Sequence, residues 1–157
     1  MSDDVSREPR VFDEPDFRRL LAWEIQRATR YQDFLSLCLV RVDHPGATRQ
    51  STLGAVARRL VEFLRSTDVV GLLTDSVAII LVHTPTGDAA VITERVRHLL
   101  EATAFPVGPD GGSATVVLRL ALASFPTDAT SDAALLEHAQ ARLASAPRGT
   151  GGPSQTL

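Results

Sequence analysis

Residues 65–84 read RSTDVVGLLTDSVAIILVHT. Two apolar runs, 69–73 and 76–82, flank the polar pair Thr74-Asp75. Runs of Val, Ile and Leu on either side of a two-residue break predict two antiparallel strands joined by a tight turn. Upstream, FLSLCLVRV (34–42) is apolar almost throughout, which predicts a strand covered on both faces. Downstream, TVVLRLALASF (115–125) predicts a long last strand.

Helical spacing fills the intervals. Phe17, Leu20, Leu21, Ile25 and Ala28 share one face of a first helix over 16–32, and Trp23 lies off that stripe. Leu53, Val56, Leu60, Val61 and Leu64 mark a second helix, with Ser51 and Thr52 as candidate caps. Ile92, Val96, Leu99 and Leu100 point inward from a third. Leu135, Leu136, Ala139 and Leu143 do so from a fourth, capped by Thr130 or Ser131. FPVGPDGGSA (105–114) reads as a turn-rich loop.

The order is α-β-α-β-β-α-β-α. A hairpin is antiparallel and strand-helix-strand crossovers are right-handed. Together they predict an α+β fold: a ferredoxin-like βαββαβ unit with an antiparallel or mixed sheet, helices packed around it and the first strand central. Residues 1–14 are polar and predict a disordered segment. Residues 15–147 form the domain. Residues 148–157, rich in Gly, Pro, Ser and Thr, predict a flexible tail.

Composition excludes several classes of function. The 157 residues are 44% hydrophobic and 22% charged, with a net charge of -3. No basic excess exists to meet nucleic acid or an anionic membrane surface. One cysteine and four dispersed histidines offer no metal-ligand spacing, and no cofactor is implied. Cys38, inside an apolar run, reads as a small buried hydrophobe. No signal peptide and no apolar run of membrane-spanning length is present, which predicts a cytoplasmic protein.

Five local patterns, in order, resemble the GGDEF domain of bacterial diguanylate cyclases. They are FRRLLAWEIQRATRY (17–31), LSLCLVRVDH (35–44), LRSTDVV (64–70), VAIILVHT (77–84) and ALASFPTDATSDAALLEHA (121–139). The resemblance implies the palm fold of nucleotide cyclases. It also implies a chemistry that can be checked residue by residue. Joining two GTP molecules needs carboxylates that hold divalent metal beside the triphosphates. The family's first-strand Asp corresponds to Arg41, and a guanidinium cannot ligate a metal. Asp43 matches the secondary acid. The signature corresponds to Leu73-Thr74-Asp75-Ser76-Val77: both glycines are replaced, Asp75 keeps the third, acidic position, and Ser76 stands for the fourth. The guanine-reading Asn and Asp are missing from PGATRQSTLGAV (45–56). The family's phosphate-contacting Lys corresponds to Pro147, and the Tyr nearby to Ala144. These losses predict a degenerate, catalytically inactive domain with no bound metal.

Further readings follow from single residues. If Arg41 and Asp75 occupy the two former ligand positions, they form a charge-assisted pair in place of a metal. Arg65-Ser66-Thr67-Asp68 matches the family's RxxD motif, which binds cyclic di-GMP. The alternative is a helix-end Arg and a turn-capping Asp. On the ligand reading, Arg65→Ala abolishes binding without disturbing the fold. Trp23 is either an interface anchor or packing under the N-terminal segment. Arg119, a charge inside an apolar strand, needs a partner or an open sheet face. The partners so implied are a protein or a second copy of the chain, and cyclic di-GMP.

Overall fold

The computed structural model describes residues 10–43, 49–107 and 112–147. The elements are β1 (Val11–Phe12), α1 (Glu14–Tyr31), β2 (Leu35–Asp43), α2 (Arg49–Phe63), β3 (Val69–Leu72) and β4 (Val77–Val82), then α3 (Thr86–Glu101), β5 (Phe105–Pro106), β6 (Ser113–Ala114), β7 (Val117–Phe125) and α4 (Asp132–Ser145). Five strands form one sheet in the order β1-β3-β4-β2-β7. The central strand β2 runs antiparallel to both β4 and β7. β3 and β4 form the expected hairpin. This is an α+β, ferredoxin-like arrangement of the nucleotide-cyclase palm type.

Alternation along β2 divides the core. Leu35, Leu37 and Leu39 pack with α1 and α4, against Ala121, Ala123 and Leu135. Cys38 and Val40 pack on the opposite face with residues of α2 and α3. Both faces are therefore covered, which explains why the strand is apolar at nearly every position.

Helix α1 begins where Asp13 accepts a hydrogen bond from the Asp16 N–H at 3.0 Å, with Pro15 in the first turn. It ends at Gln32, whose left-handed backbone (φ 53°) turns its N–H back onto the carbonyls of Ala28 and Thr29. Phe17, Leu21, Ile25 and Ala28 are its buried positions. Phe17 lies against Gly71 of β3 so closely that a Cβ there would sit 2.5–2.8 Å from Phe17 atoms. Glycine at 71 is thus a packing requirement, independent of the signature two residues on.

Three sequence expectations need correction. Residues 11–12, within the segment expected to be disordered, form β1, parallel to β3 with Val11 opposite Val70. Ser51 and Thr52 lie inside α2 and do not cap it; the Thr52 hydroxyl donates to the Pro106 carbonyl at 2.8 Å. The stretch read as a loop at 105–114 carries a small antiparallel pair, β5 and β6, with Phe105 in the core. Of the two candidate caps of α4, Ser131 is the one used.

Candidate functional site

The expected site lies where β2 ends and the β3–β4 hairpin turns. Arg41 and Asp43 follow Leu39 by steps of two, so both belong to the α1/α4 side of the sheet. Directly across from Arg41 in β7 is Arg119. Two like charges in register repel unless a counter-charge joins them. Asp43 supplies it: Arg119 Nε donates to Asp43 Oδ2 at 2.9 Å, and Arg119 Nη1 reaches the Ala144 carbonyl on α4 at 3.5 Å. Both members of the pair are largely shielded, at 24% and 22% exposure. Arg119 therefore has a carboxylate partner and does not simply face solvent.

The pairing expected between Arg41 and Asp75 is absent. The carboxylate engaged at this end of the sheet is Asp43, and its guanidinium is Arg119. The register explains this. Val40 is opposite Val77 in β4, so one further step places Ser76, not Asp75, opposite Arg41. Asp75 is exposed at the tip.

The signature turn is folded down onto the domain. The Leu73 N–H donates to the Ser76 carbonyl at 2.8 Å, closing the turn. Leu73 is 6% exposed and belongs to the α1/α4 core, and Ser76 is buried. The Thr74 hydroxyl donates to Glu14 Oε1 at 3.3 Å, and Glu14 is held by Arg18 at 2.8 Å. Among the described residues no group of three or more His, Cys, Asp or Glu side chains could hold a metal ion.

Arg65 and Asp68 lie at the opposite pole, between the end of α2 and the start of β3. The structure brings them together. Arg65 Nη2 and Nε reach the two Asp68 oxygens at 3.0 and 3.2 Å. The backbone N–H groups of Arg65 and Val82 also donate to this carboxylate. Arg65 Nη2 further donates to the Val82 carbonyl at 2.9 Å and to the Thr84 hydroxyl at 3.1 Å. Asp68 is almost wholly buried and Arg65 half exposed. The hydrogen bond to Asp68 raises the Arg65 pKa, outweighing the opposite effect of burial. Arg65 is thus a tie between α2, β3 and β4, so its truncation is expected to cost some stability as well as any ligand contact.

Sequence reasoning missed two further networks. Asp33, in the turn after α1, accepts from Arg27 at 3.0 Å and contacts His83 Nδ1 at the end of β4. Burial works to raise the Asp33 pKa, but the Phe34 N–H, Arg27 and His83 together hold it below its ordinary value. Arg27 also pairs with Glu24, while its Nη2 has no hydrogen-bond partner among the described residues. Asp128 makes a two-pronged pair with Arg142 at 2.9 and 3.0 Å and accepts from the Ser124 N–H. The FPTDA stretch was the available signal, but its partner lies 14 residues on. Trp23 is 68% exposed on the outer side of α1.

Comparison with known proteins places this geometry. Residues 48–151 match the family model described as diguanylate cyclase, GGDEF domain. No curated protein sequence matches the chain. The GGDEF domain of YfiN (TpbB) from Pseudomonas aeruginosa is similar at a TM-score of 0.75 and 22% identity, over 91% of this chain and 96% of that one. A DGC protein from Thermotoga maritima is 26% identical, with a TM-score of 0.66 over 88% and 96% of the two chains. The GGDEF domain of DgcB from Caulobacter crescentus, solved in complex with c-di-GMP, is 14% identical at a TM-score of 0.72, over 92% and 89%. The chain belongs to the diguanylate cyclase GGDEF domain family.

Proposed function

We propose that this GGDEF domain no longer condenses GTP and serves as a regulatory or protein-interaction module in cyclic di-GMP signalling. One observation carries the reading: the acid at the end of β2, Asp43, is paired with Arg119, while Arg41 stands beside it. A divalent ion between two triphosphates needs free carboxylate oxygens. Here the first candidate position on β2 holds a cation, and the second, Asp43, is already neutralised by another; that leaves Asp75 alone, exposed at the tip and one residue out of register with Arg41. This donor set does not fit a catalytic metal. Leu73 adds support, because its side chain fills core where the family's glycine leaves room for the nucleotide.

Purified protein incubated with GTP and Mg²⁺ or Mn²⁺ tests this. We expect no cyclic di-GMP by chromatography and no metal-dependent GTP heat in calorimetry. Product above a no-protein blank overturns the reading.

A second reading is a cyclic di-GMP receptor at Arg65 and Asp68. Its support is the half-exposed guanidinium of Arg65. On this reading the guanidinium meets the ligand, since the Asp68 oxygens already accept four bonds from within the chain. Titration of cyclic di-GMP into wild type and Arg65→Ala checks it. Equal affinity in the two removes the motif from the mechanism.

A further inference from the structure

Helix α1 presents a face that no other described part of the domain covers. Trp23 and Tyr31 are each 68% exposed. The indole stands between two clefts. One, of about 390 Å³, lies on its N-terminal side and is lined by Phe12, Asp16, Arg19 and Leu20. The other, of about 380 Å³, lies on its C-terminal side and is lined by Gln26, Arg27, Arg30 and Tyr31. A knob and its holes thus share one helix, which is what a two-fold, self-matching surface requires.

The charges are arranged about the same point. Asp16, in the first turn, lies seven residues before Trp23, and Arg30, in the last turn, lies seven after it. Seven residues is two turns, so all three belong to one outer stripe. If two such helices cross antiparallel at Trp23, each Asp16 meets the partner's Arg30. Arg30 takes part in no ion pair among the described residues, and Asp16 is paired only with Arg19 of its own helix, an exposed pair of small worth that leaves the carboxylate able to meet a second guanidinium. Helical side chains lean toward their own N-terminus. In an antiparallel pair each indole therefore leans over the C-terminal cleft of the other copy. There a flat π face meets the Arg27 and Arg30 guanidinium groups and the Tyr31 ring. Arg27 brings its own counter-charges, Glu24 and Asp33, so the cleft is not strongly repulsive toward the approaching Arg19.

We propose that the outer face of α1 is a self-complementary interface through which two copies of this chain pair antiparallel, with Trp23 of each in the cleft between Gln26 and Tyr31 of the other. The inference builds on the interaction-module reading and supplies the partner. An 18-residue helix is about 27 Å long, and a pair of that size falls among small, reversible interfaces. The dimer is accordingly concentration-dependent.

Light scattering and sedimentation across a concentration series read the mass, and the chain's single tryptophan reports the contact by a blue shift of its emission. Wild type should pass from monomer to dimer with the shift in parallel. Trp23→Ala should remain monomeric with unchanged far-ultraviolet dichroism. Asp16→Arg and Arg30→Asp should each weaken pairing about tenfold or more alone. Mixed together they should form a heterodimer, because both inter-chain pairs then join opposite charges. A wild type that stays monomeric throughout overturns the proposal, as does a dimer indifferent to Trp23→Ala. Failure of the two charge variants to pair when mixed overturns the antiparallel register. None of these outcomes bears on GTP turnover, so the catalytic reading stands or falls separately.

Discussion

Asp68→Ala is the sharpest probe of the pole opposite the signature turn. The carboxylate accepts four bonds at 3.0–3.3 Å, two from the Arg65 side chain and two from backbone N–H groups. Truncation leaves the Val82 N–H, on a residue only 5% exposed, without this partner. An unmet buried donor costs about 1–3 kcal/mol. The lost ion pair adds only about 0–1 kcal/mol, because Arg65 is 54% exposed and water replaces the carboxylate there. The sum centres on roughly 2–3 kcal/mol, which for a domain of this size lowers Tm by about 6–12 °C. Arg65→Ala should cost less, about 1 kcal/mol, for two reasons. Asp68 keeps its backbone donors, and the Thr84 hydroxyl still serves the Val82 carbonyl at 2.8 Å. Thermal melts followed by far-ultraviolet dichroism measure both. If Asp68→Ala melts with wild type, the motif is not an internal tie; if Arg65→Ala proves the more damaging, the unpaired Asp68 carboxylate costs more than the Val82 N–H and the ranking of the two contacts is refuted.

Two other substitutions test the packing and the charge network. Gly71→Ala forces a methyl group against Phe17 and should destabilise by about 1–3 kcal/mol, with partial recovery when Phe17→Leu is added; a neutral Gly71→Ala in urea titration would contradict the contact. Arg142 holds the Asp128 pKa below its ordinary value, helped by the Ser124 N–H and opposed by burial. A depressed folded-state pKa means stability that is complete above the unfolded value, about 3.9, and lost as pH falls through the folded one. Asp128→Asn should therefore be less stable than wild type at pH 7, by about 0.5–1 kcal/mol given that Arg142 is half exposed, and the gap should narrow in strong acid. A gap independent of pH would refute the charge argument.

What was legible in the sequence was local and periodic. The β3–β4 hairpin, the central place of β2 and the inward faces of the four helices all follow from spacing of apolar residues. Trp23 was legible because it falls off the α1 stripe, and Arg119 because a charge interrupts an apolar strand. What was not legible depends on pairs distant along the chain. Arg119 meets Asp43 across 76 residues, and no local pattern names that partner. Thr52 looked like a cap because Thr favours that role, but Pro106, 54 residues away, takes its hydroxyl inside the helix. β1 has only two residues, too few for a period. The Arg41–Asp75 pairing failed by one residue of register, and one residue in a strand moves a side chain to the other face.

Three polar groups at positions that the family resemblance marks are each engaged within the chain here. Asp43 faces Arg119, Asp68 faces Arg65, and Thr74 reaches Glu14. Each group thereby joins separate parts of the chain: β2 to β7, the end of α2 to the start of β3, the signature turn to α1. Leu73 does the same with apolar surface, since a leucine buried in the α1/α4 core contributes about 2–5 kcal/mol over a truncated side chain. Restoring the family's chemistry would thus act against the fold at several points. Arg41→Asp returns one carboxylate but leaves Asp43 on Arg119. Freeing Asp43 by removing Arg119 then leaves two acids beside each other, whose repulsion must be relieved by a bound cation or by protonation of one of them. Opening the turn at Leu73 empties a filled part of the core. Groups of the kind that hold a nucleotide are, in this chain, part of what holds the domain together, and on the proposed reading that is the physical reason to expect no cyclic di-GMP from any single reverting substitution.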